Sequence, residues 1–272
     1  MIAALNIVYE DKGRRLSKII NKIKRDKITV ELRRSRGICL AYVTYTSYNG
    51  KVNLDKLSGV VGSQRRRILC ESWVDFPKNS DFVRFESNTF KARLCTNMTY
   101  QILKASNGSG IKLGIYDPQA VICDFMLNAL EYCKNVLVVT DESKMYYTQL
   151  NRALDELGAT AVITSNTDEL GKCNLIIAPQ SISTELSLKS SAIVLTTQKP
   201  IKPISGLVYY DYNFKIPTSF AKIKPDMLSD EYFCSALYTL ENQYELGTIT
   251  PNLCTNGTNS QTVSSILKFL SE

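Results

Sequence analysis

The sequence predicts an α/β protein in which a three-layer domain with a mostly parallel sheet follows a smaller, basic α+β domain. Two observations support this fold class. Apolar, strand-like runs alternate with amphipathic helices between Lys112 and Thr197, and that order implies parallel strands joined by right-handed crossovers. Charge is also unevenly divided, because residues 1–105 carry 21 Lys and Arg against 9 Asp and Glu, whereas residues 106–272 carry 12 against 17.

The N-terminal part alternates between short strands and helices. Its most basic element is an amphipathic helix over residues 12–27, whose apolar side chains recur with helical spacing. A basic turn, Arg33–Gly37, joins two runs rich in β-branched and aromatic residues. In order, we expect a strand at 4–9, a helix at 12–27, strands at 28–32 and 38–46, a helix at 55–62, a strand at 67–71 and a helix at 89–105.

The boundary between the two domains is expected at Ser106–Gly110, a polar stretch with two glycines. This division gives a basic α+β domain over 1–105 and an α/β domain over 110–272. Asp117 and Pro118 suit the cap and first turn of a helix that runs to about Tyr132. The second domain is expected to hold strands at 112–116, 135–140, 161–164, 174–178, 192–197 and 206–212, and helices at 117–132, 143–157, 230–244 and 261–270.

Composition excludes several functional classes. The chain has no histidine, which rules out a Ser-His-Asp or Cys-His triad within it and any histidine-ligated metal or haem. The eight cysteines are dispersed without CxxC spacing, so we expect buried, reduced thiols and no metal site. The N-terminus lacks the features of a signal peptide, and no apolar run reaches the roughly 18 residues of a spanning helix. We therefore expect a soluble cytoplasmic protein.

The stretch 135–180 resembles a Rossmann-like domain, similar to the cofactor half of shikimate-dehydrogenase-type proteins. The resemblance implies a G-x-G-x-x-G loop after the first strand, but Thr140–Met145 holds no glycine and has two acidic side chains there. For the family's acidic ribose ligand it leaves only Ser165, Asn166 or Asp168. The resemblance thus implies the architecture, whereas NAD(P) is not supported by the sequence and no other cofactor is indicated.

Polar residues collect at the carboxyl ends of the expected strands, where open parallel sheets bind their ligands. Helix caps and ordinary polar loops account for the same residue types. Our leading hypothesis is a small-ligand-binding protein without ordinary dinucleotide chemistry, and the sequence leaves open whether it is an enzyme. The candidate ligand-binding residues are Asp117, Thr140, Asp141, Glu142, Ser143, Ser165, Asn166, Asp168, Gln180 and Ser181.

Two alternatives remain open. In the first alternative, the basic N-terminal face contacts the phosphates of a nucleic acid, or binds a regulatory partner, and Tyr42, Tyr45 and Tyr48 are available to stack on bases. A solvated face, or a face that rests on an anionic membrane, explains the same charges. The other alternative is a degenerate enzyme fold kept as a scaffold. The basic residues in question are Arg14, Arg15, Arg33, Arg34, Arg36, Arg65, Arg66 and Arg67.

Overall fold

The computed structural model describes residues 1–10, 24–48 and 50–271, and these pack as two compact units. The first unit comprises Met1–Ser87 and Ile216–Tyr244, and the second comprises Asn88–Lys215 and Glu245–Glu272. Most of the expected basic helix at 12–27 lies outside the described residues. Its last residues are not helical, because Lys27 already begins a strand.

The described residues form twelve strands and seven α-helices. The strands are β1 Ile2–Tyr9, β2 Lys27–Ser35, β3 Ile38–Ser47, β4 Leu113–Tyr116, β5 Val136–Val139, β6 Val162–Thr164, β7 Leu175–Ala178, β8 Ile193–Thr196, β9 Leu207–Tyr209, β10 Asp211–Asn213, β11 Leu253–Thr255 and β12 Ser260–Thr262. The helices are α1 Leu54–Val61, α2 Thr89–Ser106, α3 Phe125–Leu130, α4 Ser143–Leu157, α5 Thr218–Ala221, α6 Asp230–Leu240 and α7 Val263–Ser271.

The first unit is built on a three-stranded sheet in the order β1-β3-β2. β1 runs parallel to β3, and β2 pairs antiparallel to it. The predicted basic turn is confirmed as the β2–β3 hairpin, where Arg36 and Gly37 have φ of 49° and 78°. Two positive φ values in succession are typical of the turns that match strand twist in hairpins. The expected strand at 67–71 is reduced to isolated bridges at Ile68 and Leu69.

The second unit contains the predicted parallel sheet. Its six strands lie in the order β6-β5-β4-β7-β8-β9, and every neighbouring pair is parallel. Counted from β4, this is the order 3-2-1-4-5-6 of the Rossmann fold. The expected strand at 206–212 divides in two, since β9 completes this sheet and β10 joins an antiparallel sheet with β11 and β12. The sequence pattern does not predict β11 and β12, because a strand of three residues is too short to show an alternating hydrophobic pattern.

One face of the parallel sheet is covered by loops and a 3-10 turn, Thr167–Lys172, rather than by helices. Leu170, Cys173, Ile182 and Leu186 pack there against the strands in one buried cluster. Gly114 permits the close approach, because a Cβ at this position would lie 2.8 Å from Leu170 Cδ2. On the helical side, α2 packs against β7 and β8 and α3 packs against β5.

Two expected boundaries in the second unit differ from the structure. Residues 117–124 form turns instead of helix, and α3 starts only at Phe125, because Ala120 adopts a left-handed φ of 53°. Ser106–Gly110 lies within the second unit, where it ends α2. Gly108 donates to Leu103 O, and a Cβ on it would collide with the carbonyl of Tyr132. The expected linker is thus a packed helix end.

Candidate functional site

The carboxyl ends of β4 and β7 define the candidate site of the second unit. These two strands are neighbours at the centre of the sheet, but β4 is followed along the chain by β5 on one side and β7 by β8 on the other. Such a reversal is the point at which open α/β sheets leave a crevice for a ligand. The loops after β4, β5 and β7 contain six of the ten candidate residues, and a seventh, Ser143, begins α4.

Asp117 is the central residue of this edge. Its carboxylate is fully buried and accepts three hydrogen bonds. Oδ1 accepts from the backbone N–H of Val121 at 2.9 Å, and Oδ2 accepts from the N–H of Ile122 and from the Tyr146 hydroxyl, both at 2.8 Å. A buried carboxylate is tolerated only when its oxygens are satisfied in this way. Asp117 thus joins the loop after β4 to helix α4.

Tyr146 completes this arrangement from α4. Its side chain has no exposed surface, and its hydroxyl donates to Asp117. Burial, together with the charge of Asp117, raises the pKa of Tyr146 far above its usual range. The phenol therefore remains protonated and keeps donating across the physiological pH range.

The strand order corrects our placement of the phosphate loop. Because β4 is the first strand of the Rossmann order, the position of G-x-G-x-x-G is Asp117–Ile122 and not Thr140–Met145. The corrected loop is also free of glycine. Two backbone amides of this loop, those of Val121 and Ile122, already donate to Asp117. An internal carboxylate stands where a dinucleotide would place its pyrophosphate.

Thr140, Asp141 and Glu142 fall instead at the end of the second strand, where the Rossmann pattern has its acidic ribose ligand. Thr140 is buried, and its hydroxyl oxygen accepts from the Glu142 N–H at 3.1 Å. Asp141, Glu142 and Ser143 are exposed. They lie at the N-terminus of α4 with Glu142 at the N-cap position, as the helix-cap alternative expects, although no side chain of the described residues makes a cap hydrogen bond there.

The remaining candidates divide between structural and bridging roles. Asn166 caps the 3-10 turn by accepting from the Asp168 N–H at 3.1 Å, while Ser165 and Asp168 are exposed at the end of β6. Gln180 Nε2 donates to Gln119 Oε1 at 2.9 Å and so bridges the loop after β7 and the loop after β4. Ser181 follows it and is half-buried.

Sequence reasoning missed four residues at this edge. The Tyr116 and Thr184 hydroxyls lie 2.9 Å apart, Gln119 binds Gln180, and Tyr146 binds Asp117. The partners are separated by 29 to 68 positions along the chain. No local pattern signals pairs between such distant positions.

The basic residues of the alternative hypothesis occupy two segments of the first unit. Arg33, Arg34 and Arg36 lie on the β2–β3 hairpin, and Arg65, Arg66 and Arg67 end a 3-10 turn, Gly62–Arg67, while Arg14 and Arg15 lie outside the described residues. Arg33 pairs with Glu31 and Arg65 with Asp81, and the Arg36 guanidinium lies 5.7 Å from the centroid of the Phe220 ring.

The tyrosines do not all serve as stacking platforms. Tyr45 is fully buried and donates to Asp26, so the expectation that it stacks on bases is wrong. Tyr42 already stacks with Arg33, whose guanidinium lies 4.6 Å from the ring centroid.

No helix within the described ranges is both long and apolar enough to cross a bilayer. In the same part of the chain, no three Cys, Asp or Glu side chains cluster closely enough to hold a metal ion.

Comparison with known proteins gave only distant structural likenesses. No family model and no curated protein matches the chain. One of the solved structures that it resembles is Δ1-pyrroline-2-carboxylate reductase of Thermococcus litoralis, in complex with NADH and L-proline. That alignment has 16% identity and a TM-score of 0.28, and it covers 45% of this chain and 41% of the reductase. L-tryptophan dehydrogenase of Nostoc punctiforme aligns at 8% identity and a TM-score of 0.31, covering 98% of this chain and 79% of that one.

Quinate dehydrogenase of Corynebacterium glutamicum with NAD aligns at 7% identity and a TM-score of 0.31, covering 99% of this chain and 98% of that one. This chain spans less than half the length of the reductase. The Rossmann-like assignment rests on the strand order of the sheet and not on these alignments.

Proposed function

We propose that the second unit binds a small, uncharged or cationic, hydroxylated ligand at the carboxyl edge of its sheet, and that it does not use a dinucleotide. The observation that carries the proposal is the position of Asp117. Its buried carboxylate accepts from two amides of the loop that binds the pyrophosphate in Rossmann folds, and a phosphate placed beside it would meet a carboxylate in a water-poor setting.

The groups around the crevice favour hydroxyl and amine ligands. Asp141 and Glu142 are exposed acceptors at the ribose position, and they suit the vicinal hydroxyls of a nucleoside or sugar. Gln119 and Gln180 bind each other across the crevice, and each amide is able to exchange this bond for one to a ligand. The proposal is one of binding, because the groups at this edge are hydrogen-bond acceptors and amides placed for a ligand's hydroxyl or amine groups.

The test is a thermal-shift and calorimetry screen that uses adenosine, S-adenosylmethionine, simple sugars and NAD⁺. We expect stabilisation by a neutral or cationic member of this set. The stabilisation should be lost in Asp141→Asn and Glu142→Gln but retained in Asp155→Asn, which changes an exposed carboxylate further along α4.

Stabilisation by NAD⁺ that depends on Glu142 would refute the exclusion of dinucleotides. A response to none of the four classes would refute the ligand-binding proposal and leave the scaffold hypothesis.

A further inference from the structure

Two cavities lie in the first unit, away from the residues of the proposed site. They share Lys51 and Val52 in their linings and therefore adjoin each other. Their volumes are about 490 Å³ and 390 Å³. The first is lined mainly by aromatic and aliphatic side chains, and the second mainly by basic ones. We call them the aromatic cavity and the basic cavity.

The aromatic cavity presents exposed rings beside an apolar floor. Trp73 is 50% exposed and Tyr9 is 47% exposed, with ring centroids 6.1 Å apart and planes tilted by 50°. Phe76 also lines the cavity and is held in place by stacking on Phe82 at 5.4 Å. Large aromatic rings left half-exposed around a concavity are typical of binding sites for planar ligands.

The basic cavity concentrates positive charge next to these rings. Lys24, Arg25, Lys51 and Lys56 line it, and Asp26 is its acidic residue. Both carboxylate oxygens of Asp26 are engaged within the protein, by the Tyr45 hydroxyl at 2.7 Å and the Tyr48 N–H at 3.2 Å. The amino end of α1 begins at the same cavity and adds a further positive potential. Within the part of the chain that the structure describes, four cations and one acid line this cavity, and this excess of positive charge suits a phosphate better than a singly charged carboxylate.

From these adjoining cavities we infer that the first unit binds a nucleotide, with the base against Trp73 and Tyr9 and the phosphate among the lysines of the basic cavity. Stacking on aromatic rings beside a basic groove is how proteins hold nucleotides without reading sequence. Asp75 lines the aromatic cavity and provides an acceptor for the amino group of adenine or cytosine. The same chemistry serves a free nucleoside monophosphate and one unit of a single-stranded nucleic acid.

Trp73 makes the inference directly testable, because it is the only tryptophan in the chain. Its emission, excited selectively in the full-length protein, is followed during titration with AMP, with adenosine, with inorganic phosphate and with a short single-stranded oligonucleotide. We expect AMP to change the Trp73 emission, phosphate to compete with it, and adenosine to bind about tenfold more weakly because it lacks the charge-assisted hydrogen bonds.

Matched lysine variants test which charges bind the phosphate of AMP. Lys56→Ala and Lys51→Ala should each weaken AMP binding about tenfold, whereas Lys199→Ala, an exposed lysine of the second unit, should leave it unchanged. Much tighter binding of the oligonucleotide, with a steep salt dependence, would identify a nucleic acid as the source of the nucleotide, and equal binding would identify the free molecule. The inference is overturned if neither AMP nor the oligonucleotide changes the emission, or if adenosine binds as well as AMP and neither lysine variant has an effect.

Because Asp141 and Glu142 belong to the second unit, their variants should not alter the Trp73 titration. The two proposals are thus able to fail separately.

Discussion

Replacing Tyr146 with phenylalanine tests whether the Asp117 carboxylate depends on its buried partner. The change removes one oxygen and leaves Oδ2 of Asp117 with only the Ile122 amide at 2.8 Å. Hydrogen bonds to a charged group contribute about 1.5–3 kcal/mol, so we expect the free energy of unfolding to fall by about 2 kcal/mol. Urea denaturation followed by far-UV circular dichroism measures this loss.

Tyr147→Phe is the matched control, because Tyr147 is the next residue of α4 and is 50% exposed. We expect its effect to stay within about 0.5 kcal/mol, as for most surface substitutions. Equal effects of the two substitutions would refute the argument that the Tyr146 phenol stabilises the buried carboxylate.

The same pair of variants has a defined pH dependence. Since the pKa of Tyr146 is raised in the folded protein, its stabilising effect is complete below the unfolded pKa of about 10 and declines at higher pH. The difference between the wild type and Tyr146→Phe should therefore be constant from neutral pH to about 9 and should shrink by about 1.4 kcal/mol per pH unit above 10. A difference that stays constant into strongly alkaline solution would show that the pKa is not raised.

Two further predictions concern packing and the thiols. Gly114→Ala should destabilise the protein by about 1–3 kcal/mol through overpacking, because the new Cβ would lie 2.8 Å from Leu170. The control is Gly59→Ala in α1, where a Cβ meets nothing within 4 Å and the change should be neutral or stabilising. Urea denaturation of both variants measures the difference. Native protein at mildly alkaline pH should react fastest with a thiol reagent at the half-buried Cys39, and more slowly at Cys123, because burial and the nearby Asp124 and Asp117 raise the pKa of that thiol. The other six thiols are buried, and burial raises the pKa of five of these to about 11 or 12, so rapid labelling of all eight would contradict the core packing.

The sequence was sufficient for the parallel sheet but not for its strand order. Continuous apolar runs such as Val136–Val139 are recognisable because these strands are buried on both faces. Which run occupies the centre depends on pairing between distant segments, and no periodicity encodes it. For that reason, from the sequence alone, we treat the run before Thr140 as the first strand of the Rossmann order. In the structure the first strand is β4, and the run before Thr140 is the second.

The positions of the polar residues at the strand ends were predictable from the sequence, but their contacts were not. Asp117 was expected to cap the next turn, but the left-handed Ala120 delays the helix and turns the Asp117 carboxylate to the amides of Val121 and Ile122. Its third partner, Tyr146, is 29 residues away and comes from a different helix. Local patterns locate the polar strand ends, whereas tertiary contacts decide which of them remain available to a ligand.

Hydrogen exchange at the Val121 and Ile122 amides, measured by NMR with and without NAD⁺, tests the central claim most directly. Both amides lie in a turn before α3, outside regular helix. If Asp117 occupies the anion position, both exchange slowly in the free protein and NAD⁺ leaves their rates unchanged. Rapid exchange that becomes slow when NAD⁺ is added would mean that the dinucleotide takes these amides, and the account of the closed site would be wrong.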